Sequence, residues 1–207
     1  MNLKKYFDKI YCINLDHRKD RWEETKKELI KWGLYDCVER FDAIDGKKIE
    51  INNSPLNKGE LGILLTQKKI IEECIDKKYN NILILEDDIE FTEEILKLEN
   101  YMVETPDDWD MIYFGGNHNK HMGNKLNFIT NKILKLNETY GIHSVAIKNT
   151  MFEKINNLIS NTQKPVDVYY SDLQKNHNCY GFFPSMALQR ESFSDIQNTY
   201  VNYKWLF

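Results

Sequence analysis

Three consecutive carboxylates, Glu86-Asp87-Asp88, stand at the end of the wholly apolar segment Ile82-Leu83-Ile84-Leu85. Adjacent carboxylates repel, so a site that concentrates them is stable only if they protonate, disperse into water or share a cation. Hard oxygen ligands of this kind suit Mg2+ or Mn2+, ions that keep open positions for substrate phosphates. The alternative is a solvated acidic turn that merely ends a strand. An apolar run of this length reads as a buried strand, which would deliver the acids to a sheet edge where ligands of open α/β folds bind.

Two further segments carry chemistry. In Ile13-Asn14-Leu15-Asp16-His17-Arg18-Lys19-Asp20-Arg21, a strand end feeds a helix start rich in donors. Free backbone N–H groups there, with Arg18 and Arg21, suit a nucleotide phosphate or base. Helix capping by Asp16 or Asp20 among solvated basic residues is the other reading. Downstream, Pro165-Val166-Asp167 precedes Tyr169, Tyr170 and Asp172, and Gln189-Arg190 leads to Asp195. Asp167 and Asp172 are either catalytic carboxylates or ordinary caps and surface groups. His118 and His121 stand close together without a cysteine or a further near ligand, which favours loop residues over a metal pair.

The elements that must position these groups alternate. Ile10 to Leu15 reads as a strand, and Trp22, Thr25, Leu29 and Trp32 fall at helical spacing before Gly33, a helix stop. Val38 to Ala43 is a short strand, and residues 52 to 58 form a loop. From Gly59 to Lys78 the apolar residues recur on one face of the longest helix, and Ile82 to Leu85 follows as the central strand. A helix from Glu93 to Glu104 ends at Pro106, and Met111 to Phe114 is a strand before Gly115-Gly116. Phe128-Ile129 and Ile133 to Leu136 suggest a hairpin, Ser144 to Ile147 a strand, Met151 to Ile159 a helix and Cys179 to Phe183 a late strand. The tail, with Tyr200, Tyr203, Trp205 and Phe207, is aromatic enough to pack back on the rest. The fold class is α/β, a mixed sheet flanked by helices, in one domain spanning 1–207.

At 207 residues with a formal net charge of −4, no global basic field points to nucleic acid or an anionic membrane. The first residues lack a signal-peptide core, and no run reaches the roughly 18 apolar residues of a transmembrane segment. A soluble, cytoplasmic protein is expected. Cys12, Cys37, Cys74 and Cys179 are too scattered for zinc or redox work and read as reduced, buried small side chains.

Taken in order, these pieces resemble glycosyltransferase family 25, which includes bacterial lipooligosaccharide galactosyltransferases, procollagen galactosyltransferases and relatives in large DNA viruses. The matching segments are residues 13–21, Gly59-Glu60-Leu61-Gly62, Ile84-Leu85-Glu86-Asp87-Asp88, Asp108-Trp109-Asp110-Met111-Ile112-Tyr113-Phe114-Gly115, Pro165-Val166-Asp167 and residues 189–196. The resemblance implies a GT-A fold, a UDP-sugar donor and Mn2+ or Mg2+ at a variant of the DxD motif. It implies inverting transfer of a hexose, galactose or glucose, to a hydroxyl of a glycan or a hydroxylysine-type acceptor. For a viral member the compartment would be the host cytoplasm.

In that scheme Glu86 and Asp88 hold the metal, with His177 or Asp195 as a third ligand. Asn14, Arg18, Arg21, Glu86, Asp87 and Arg190 contact the donor, and Asp167 or, second, Asp172 is the general base. Many members carry a Ser-His pair where this chain has Thr66-Gln67. That departure makes a second reading available, a module that binds a nucleotide-sugar or a partner without transfer. A different metal-dependent phosphate enzyme is a third, although the chain shows no Walker-type loop.

Overall fold

The computed structural model describes residues 3–50, 54–118, 125–159 and 164–203. Its first strand, β1 (Lys9–Asn14), is buried along nearly its whole length. Such a strand must be covered on both faces, and its side chains divide accordingly. Tyr11 and Ile13 join one apolar core, Ile10 and Cys12 the other.

The same division continues through β3 (Asn81–Glu86), where Ile82 and Ile84 face the first core and Leu83 and Leu85 the second. The first core is covered by α2 (Lys58–Lys77) and α4 (Asn149–Ile159), through residues such as Leu64, Ile71, Cys74, Met151 and Ile155. The second is covered by α1 (Lys19–Lys31), through Leu29, and by α3 (Leu98–Glu104), through Tyr101. Burying each such aliphatic side chain contributes about 1.5–3 kcal/mol relative to leaving it in water. Asn57 and Glu60 form a capping box at the start of α2, which sets its first turn. Gly33, at φ +68°, follows α1 where the left-handed backbone favours glycine.

The remaining strands of the main sheet are β2 (Glu39–Asp42), β5 (Met111–Tyr113), β6 (Ile133–Lys135), β7 (Ser144–Lys148) and β8 (Cys179–Phe182). The seven-stranded order is β2-β1-β3-β7-β5-β8-β6. β1 pairs in parallel with β2 and β3, β7 runs antiparallel between β3 and β5, and β5 pairs in parallel with β8. The sheet is therefore mixed and flanked by helices, as expected, but the middle position belongs to β7, with β3 beside it. The direction pattern brings the ends of β1, β3 and β5 and the start of β7 to one edge. The starts of β3, β5 and β8 lie at the opposite edge.

Elements absent from the sequence reading are short or irregular. β4 (Ile89–Phe91) pairs with β9 (Ala187–Gln189), so the chain after the acids is tied to the late segment. Val166–Gln174 is a helix, α5, starting one residue before Asp167. The helix expected from Glu93 begins with a 3-10 segment, Glu93–Lys97, before α3. In the tail, β10 (Ser192–Ser194) and β11 (Thr199–Val201) form a hairpin, whereas Trp205 and Phe207 lie outside the described residues. The four cysteines are free, three of them buried and Cys37 half-buried.

Gly115 ends β5 at a close crossing, where an added Cβ would lie 1.8 Å from the Ala187 carbonyl oxygen, whereas one at Gly33 would meet nothing within 4 Å. Gly115→Ala is expected to lower the melting temperature more than Gly33→Ala, whose left-handed strain costs about 1 kcal/mol. Thermal unfolding of both variants beside the parent checks the order; equal shifts would contradict the close crossing.

Candidate active site

The edge that gathers the ends of β1, β3 and β5 opens into a cleft of about 1010 Å³. Asn14, Arg21, Glu86, Asp87, Asp88, Asp167 and Asp195 all line it. The end of β3 thus presents its three acids to the cleft, and the start of α5 contributes Asp167.

Asp87 and Asp88 are buried, at 8% and 7% exposure, so the acidic turn is not a solvated strand stop. One guanidinium compensates both: Arg21 Nη2 lies 2.5 Å from Asp87 Oδ1 and 3.0 Å from Asp88 Oδ2. Asn14 Nδ2 donates to Asp87 Oδ2 at 2.5 Å, and the Thr25 hydroxyl donates to the Asp87 carbonyl at 2.6 Å. Arg21, Thr25 and Leu29 are the buried residues of α1, four residues apart on one helical stripe, so the same face that fills the core carries the cation and the hydroxyl. Asp88 Oδ1 is buried without a hydrogen-bond partner among the described residues.

The electrostatics are those of crowded acids in a poorly hydrated place. Burial, and after it Asp88, pushes the Glu86 carboxyl up to about 8. Burial raises Asp87 as well, against the opposing pull of Arg21. Asp167 is raised by burial, while its own helix start holds Oδ1 through the Val168 N–H at 2.8 Å.

Other expected site residues are placed elsewhere. Asp172 is absent from the cleft lining and pairs with Lys164 at 2.6 Å and Lys175 at 3.2 Å. Five residues along a helix turn a side chain by roughly 140° relative to Asp167, which explains the separation. His177 stands just before β8, at the opposite sheet edge, 3.8 Å from Asp110. Asp195 does reach the cleft, held by an ion pair with Arg18. Arg18 also binds Asp20 at 2.9 Å and is not part of the lining. Arg190 bonds the carbonyls of Asp87 at 3.0 Å and Ile89 at 3.4 Å and pairs with Glu24, bracing the acidic turn from outside the cleft lining.

His118 is buried, with Nδ1 2.9 Å from the Thr139 hydroxyl, and His121 lies outside the described residues. Thr66 lines the cleft, its hydroxyl donating to the Gly62 carbonyl and accepting from the Ile44 N–H. Gln67 turns into the interior, where Tyr170 donates to its Oε1 at 3.2 Å. Gln67 therefore does not line the cleft. The sequence reading gave no site role to Thr25, Glu60 or Tyr203, although the last two line the cleft. Thr25, at a core position of an amphipathic helix, was the visible signal, since a polar residue there needs a partner.

The chain belongs to glycosyltransferase family 25: the family model, described as glycosyltransferase family 25 (LPS biosynthesis protein), matches residues 7–170. Human procollagen galactosyltransferase 2 is 28% identical over 134 residues, covering 54% of this chain and 21% of the human protein. Procollagen galactosyltransferase 1 of Danio rerio is 32% identical over 136 residues, covering 54% of this chain and 22% of that protein. The chain spans about a fifth of the length of these relatives. Among solved structures, a glycosyltransferase involved in the glycosylation of the major capsid of PBCV-1 aligns with a TM-score of 0.42 at 7% identity, over 73% of this chain and 65% of that one. No helix among the described residues is long and apolar enough to cross a membrane.

Replacing Arg21 by Met leaves Asp87 and Asp88 without their buried counter-charge, and is expected to cost about 3–5 kcal/mol at neutral pH. The folded-state pKa values of Glu86 and Asp87 already lie above their ordinary values, so these groups favour folding at low pH and lose that contribution as pH rises through the folded pKa, about 8 for Glu86. Without Arg21 the effect grows, so the deficit relative to the parent should shrink as pH falls from 8 toward 5. Urea unfolding in EDTA across that range measures it; a deficit independent of pH would contradict the role given to Arg21.

Proposed function

We propose that this domain is a divalent-metal-dependent, inverting hexosyltransferase with a GT-A-type arrangement. It would move galactose or glucose from a UDP-sugar to a hydroxyl of a glycan or a hydroxylysine-type side chain. The observation that carries the reading is the convergence of Glu86, Asp87, Asp88 and Asp167 on one cleft at a sheet edge, in a family 25 chain.

The donor set fits a hard cation. The unpartnered, buried Asp88 Oδ1 is an oxygen with unused acceptor capacity, and Glu86 opens onto the same cleft. Among the described residues no group of three or more His, Cys, Asp or Glu is placed to hold a metal ion. An ion of the Mg2+ type takes one or two carboxylates and completes its shell with water and substrate phosphates. Glu86 and Asp88 would hold it, and when bound it supplies Lewis-acid stabilisation to the departing diphosphate.

The chain's own residues do the rest. Arg21 and Asn14 hold Asp87 in place, and the positive Arg21 would stabilise the negative charge that collects on the leaving nucleotide. Asp167, held in the cleft lining by its helix start, takes the proton from the attacking hydroxyl. Its burial raises its basicity toward that task. Inversion follows if the acceptor enters from the Asp167 side while the nucleotide leaves on the Asp88 side, across an oxocarbenium-like sugar.

Purified protein with Mn2+ and individual nucleotide-sugars, followed by release of free nucleotide with and without EDTA, tests the proposal. EDTA-sensitive release from one UDP-hexose is expected. Asp88→Asn should abolish it while the fold persists, and normal metal-dependent turnover in that variant would remove the metal assignment. Asp167→Asn should keep metal-dependent nucleotide binding and lower turnover by about 10²–10⁴-fold. Donor binding by the parent without turnover, in the presence of a range of acceptors, would favour the non-transferring module.

A further inference from the structure

The hairpin β10–β11 is fastened to the rim of the cleft at three points. Asp195 pairs with Arg18, and the Phe193 carbonyl accepts from Arg21 Nη1 at 3.2 Å. Ile196 lies against the start of α2, where a Cβ on Gly59 would sit 2.7 Å from the Ile196 Cα. Asn202 Nδ2 then donates to Glu191 Oε2 at 3.1 Å, closing the base of the hairpin. Just beyond this closure, Tyr203 returns to the cleft and lines it half-buried, its hydroxyl accepting from Gln197 Nε2. The neighbouring Tyr200 takes the opposite course, 76% exposed with its ring edge-on to Phe193.

Tyr203 therefore faces the acids from the C-terminal segment. Burial raises the proton affinity of its phenol, and the carboxylates of Asp88, Asp167 and Glu86 add to the effect, so the hydroxyl keeps its proton. An aromatic ring with a fixed polar tip offers an apolar face and one hydrogen-bonding atom. Carboxylates across the same cleft accept hydrogen bonds from several hydroxyls. A pyranose ring, apolar on one face and edged with hydroxyls, matches that combination.

Resting on the nucleotide-sugar reading above, we propose that Tyr203 is a substrate-contacting, specificity-determining residue, presented by the C-terminal hairpin as a wall against a hexose ring. Two sources can supply that hexose, the sugar of the donor or the terminal sugar of the acceptor. The acids do not require Tyr203 for their own contacts, since Arg21, Asn14 and Thr25 position the acidic turn without it.

The test compares the parent, Tyr203→Ala and Tyr203→Phe, each with its melting temperature recorded. Calorimetry with Mn2+ measures affinity for UDP, UDP-galactose and UDP-glucose, and saturation-transfer NMR reads contact with methyl β-galactoside and methyl β-glucoside. Tyr203→Ala is expected to weaken a hexose-bearing probe about tenfold and to leave UDP unchanged. Tyr203→Phe, keeping the ring, should retain most of the affinity. Loss confined to the UDP-hexoses assigns the donor sugar; loss confined to the methyl glycosides assigns the acceptor sugar.

Equal weakening of UDP and UDP-hexoses would overturn the proposal, because the ring would then face the nucleotide. Parent-like binding of every probe by Tyr203→Ala, or no contact of any hexose probe with the parent, would overturn it as well. Failure of the parent to bind UDP while methyl glycosides still report on Tyr203 would count against the nucleotide assignment alone.

Discussion

The structure turns on one arrangement: two adjacent aspartates taken out of water at a strand end and held there by a single arginine. Burying Asp87 and Asp88 together is unfavourable unless a cation and donors accompany them. Arg21 supplies the cation, and Asn14 and Thr25 supply donors to the side chain and carbonyl of Asp87. These partners come from the end of β1 and from α1, so both must dock against the end of β3 with little freedom. Leu29, on the same stripe of α1, fixes the helix through the second core. Packing and electrostatics thus set one another's geometry. A buried ion pair is a poor source of stability, and buried, perturbed carboxylates at a cleft mark a candidate functional site.

A second consequence comes from the direction of the strands. With β7 antiparallel between β3 and β5, the loop entering β7 meets the ends of β1, β3 and β5 at one edge. That loop includes Tyr140, Gly141 and Ile142, which line the cleft close to Asp167, and the carbonyl of the next residue, His143, accepts from the Glu86 N–H at 2.9 Å. The edge is therefore built from residues far apart in the chain. β4 and β9 then link the acidic turn to the late segment, where Arg190 bonds the carbonyls of Asp87 and Ile89. The C-terminal hairpin follows directly, and Arg21 touches both it and the acids, so the wall of the cleft and its charged floor share one guanidinium.

The long elements and the acidic strand end were legible from periodicity and composition. β1, α1, α2, β3, β5, β7, α4 and β8 all fall within a few residues of the segments their apolar patterns mark. These elements bury many side chains each, so local pattern and tertiary environment agree. The pieces that escaped, β4, β9, β10 and α5, are short and are stabilised by partners distant in sequence. An apolar pattern of three residues carries too little information to mark a strand.

For the site, the sequence by itself determined the chemical inventory and the strongest cluster. Glu86, Asp87 and Asp88 had to emerge together because they are consecutive after a buried strand, and Arg21 had to lie near a strand end because it opens the next helix. Tertiary structure decided which groups meet. Asp167 enters the cleft while Asp172, on another face of the same helix, is taken up by Lys164 and Lys175. Asp195 arrives and His177 stays at the far edge, because β8 starts where β3 starts. Arg18 and Arg190, which look like phosphate ligands on charge alone, are committed to carboxylates and carbonyls of the chain itself. Charge and residue type are one-dimensional properties, whereas the direction of a strand and the face of a helix exist only once the sheet has formed.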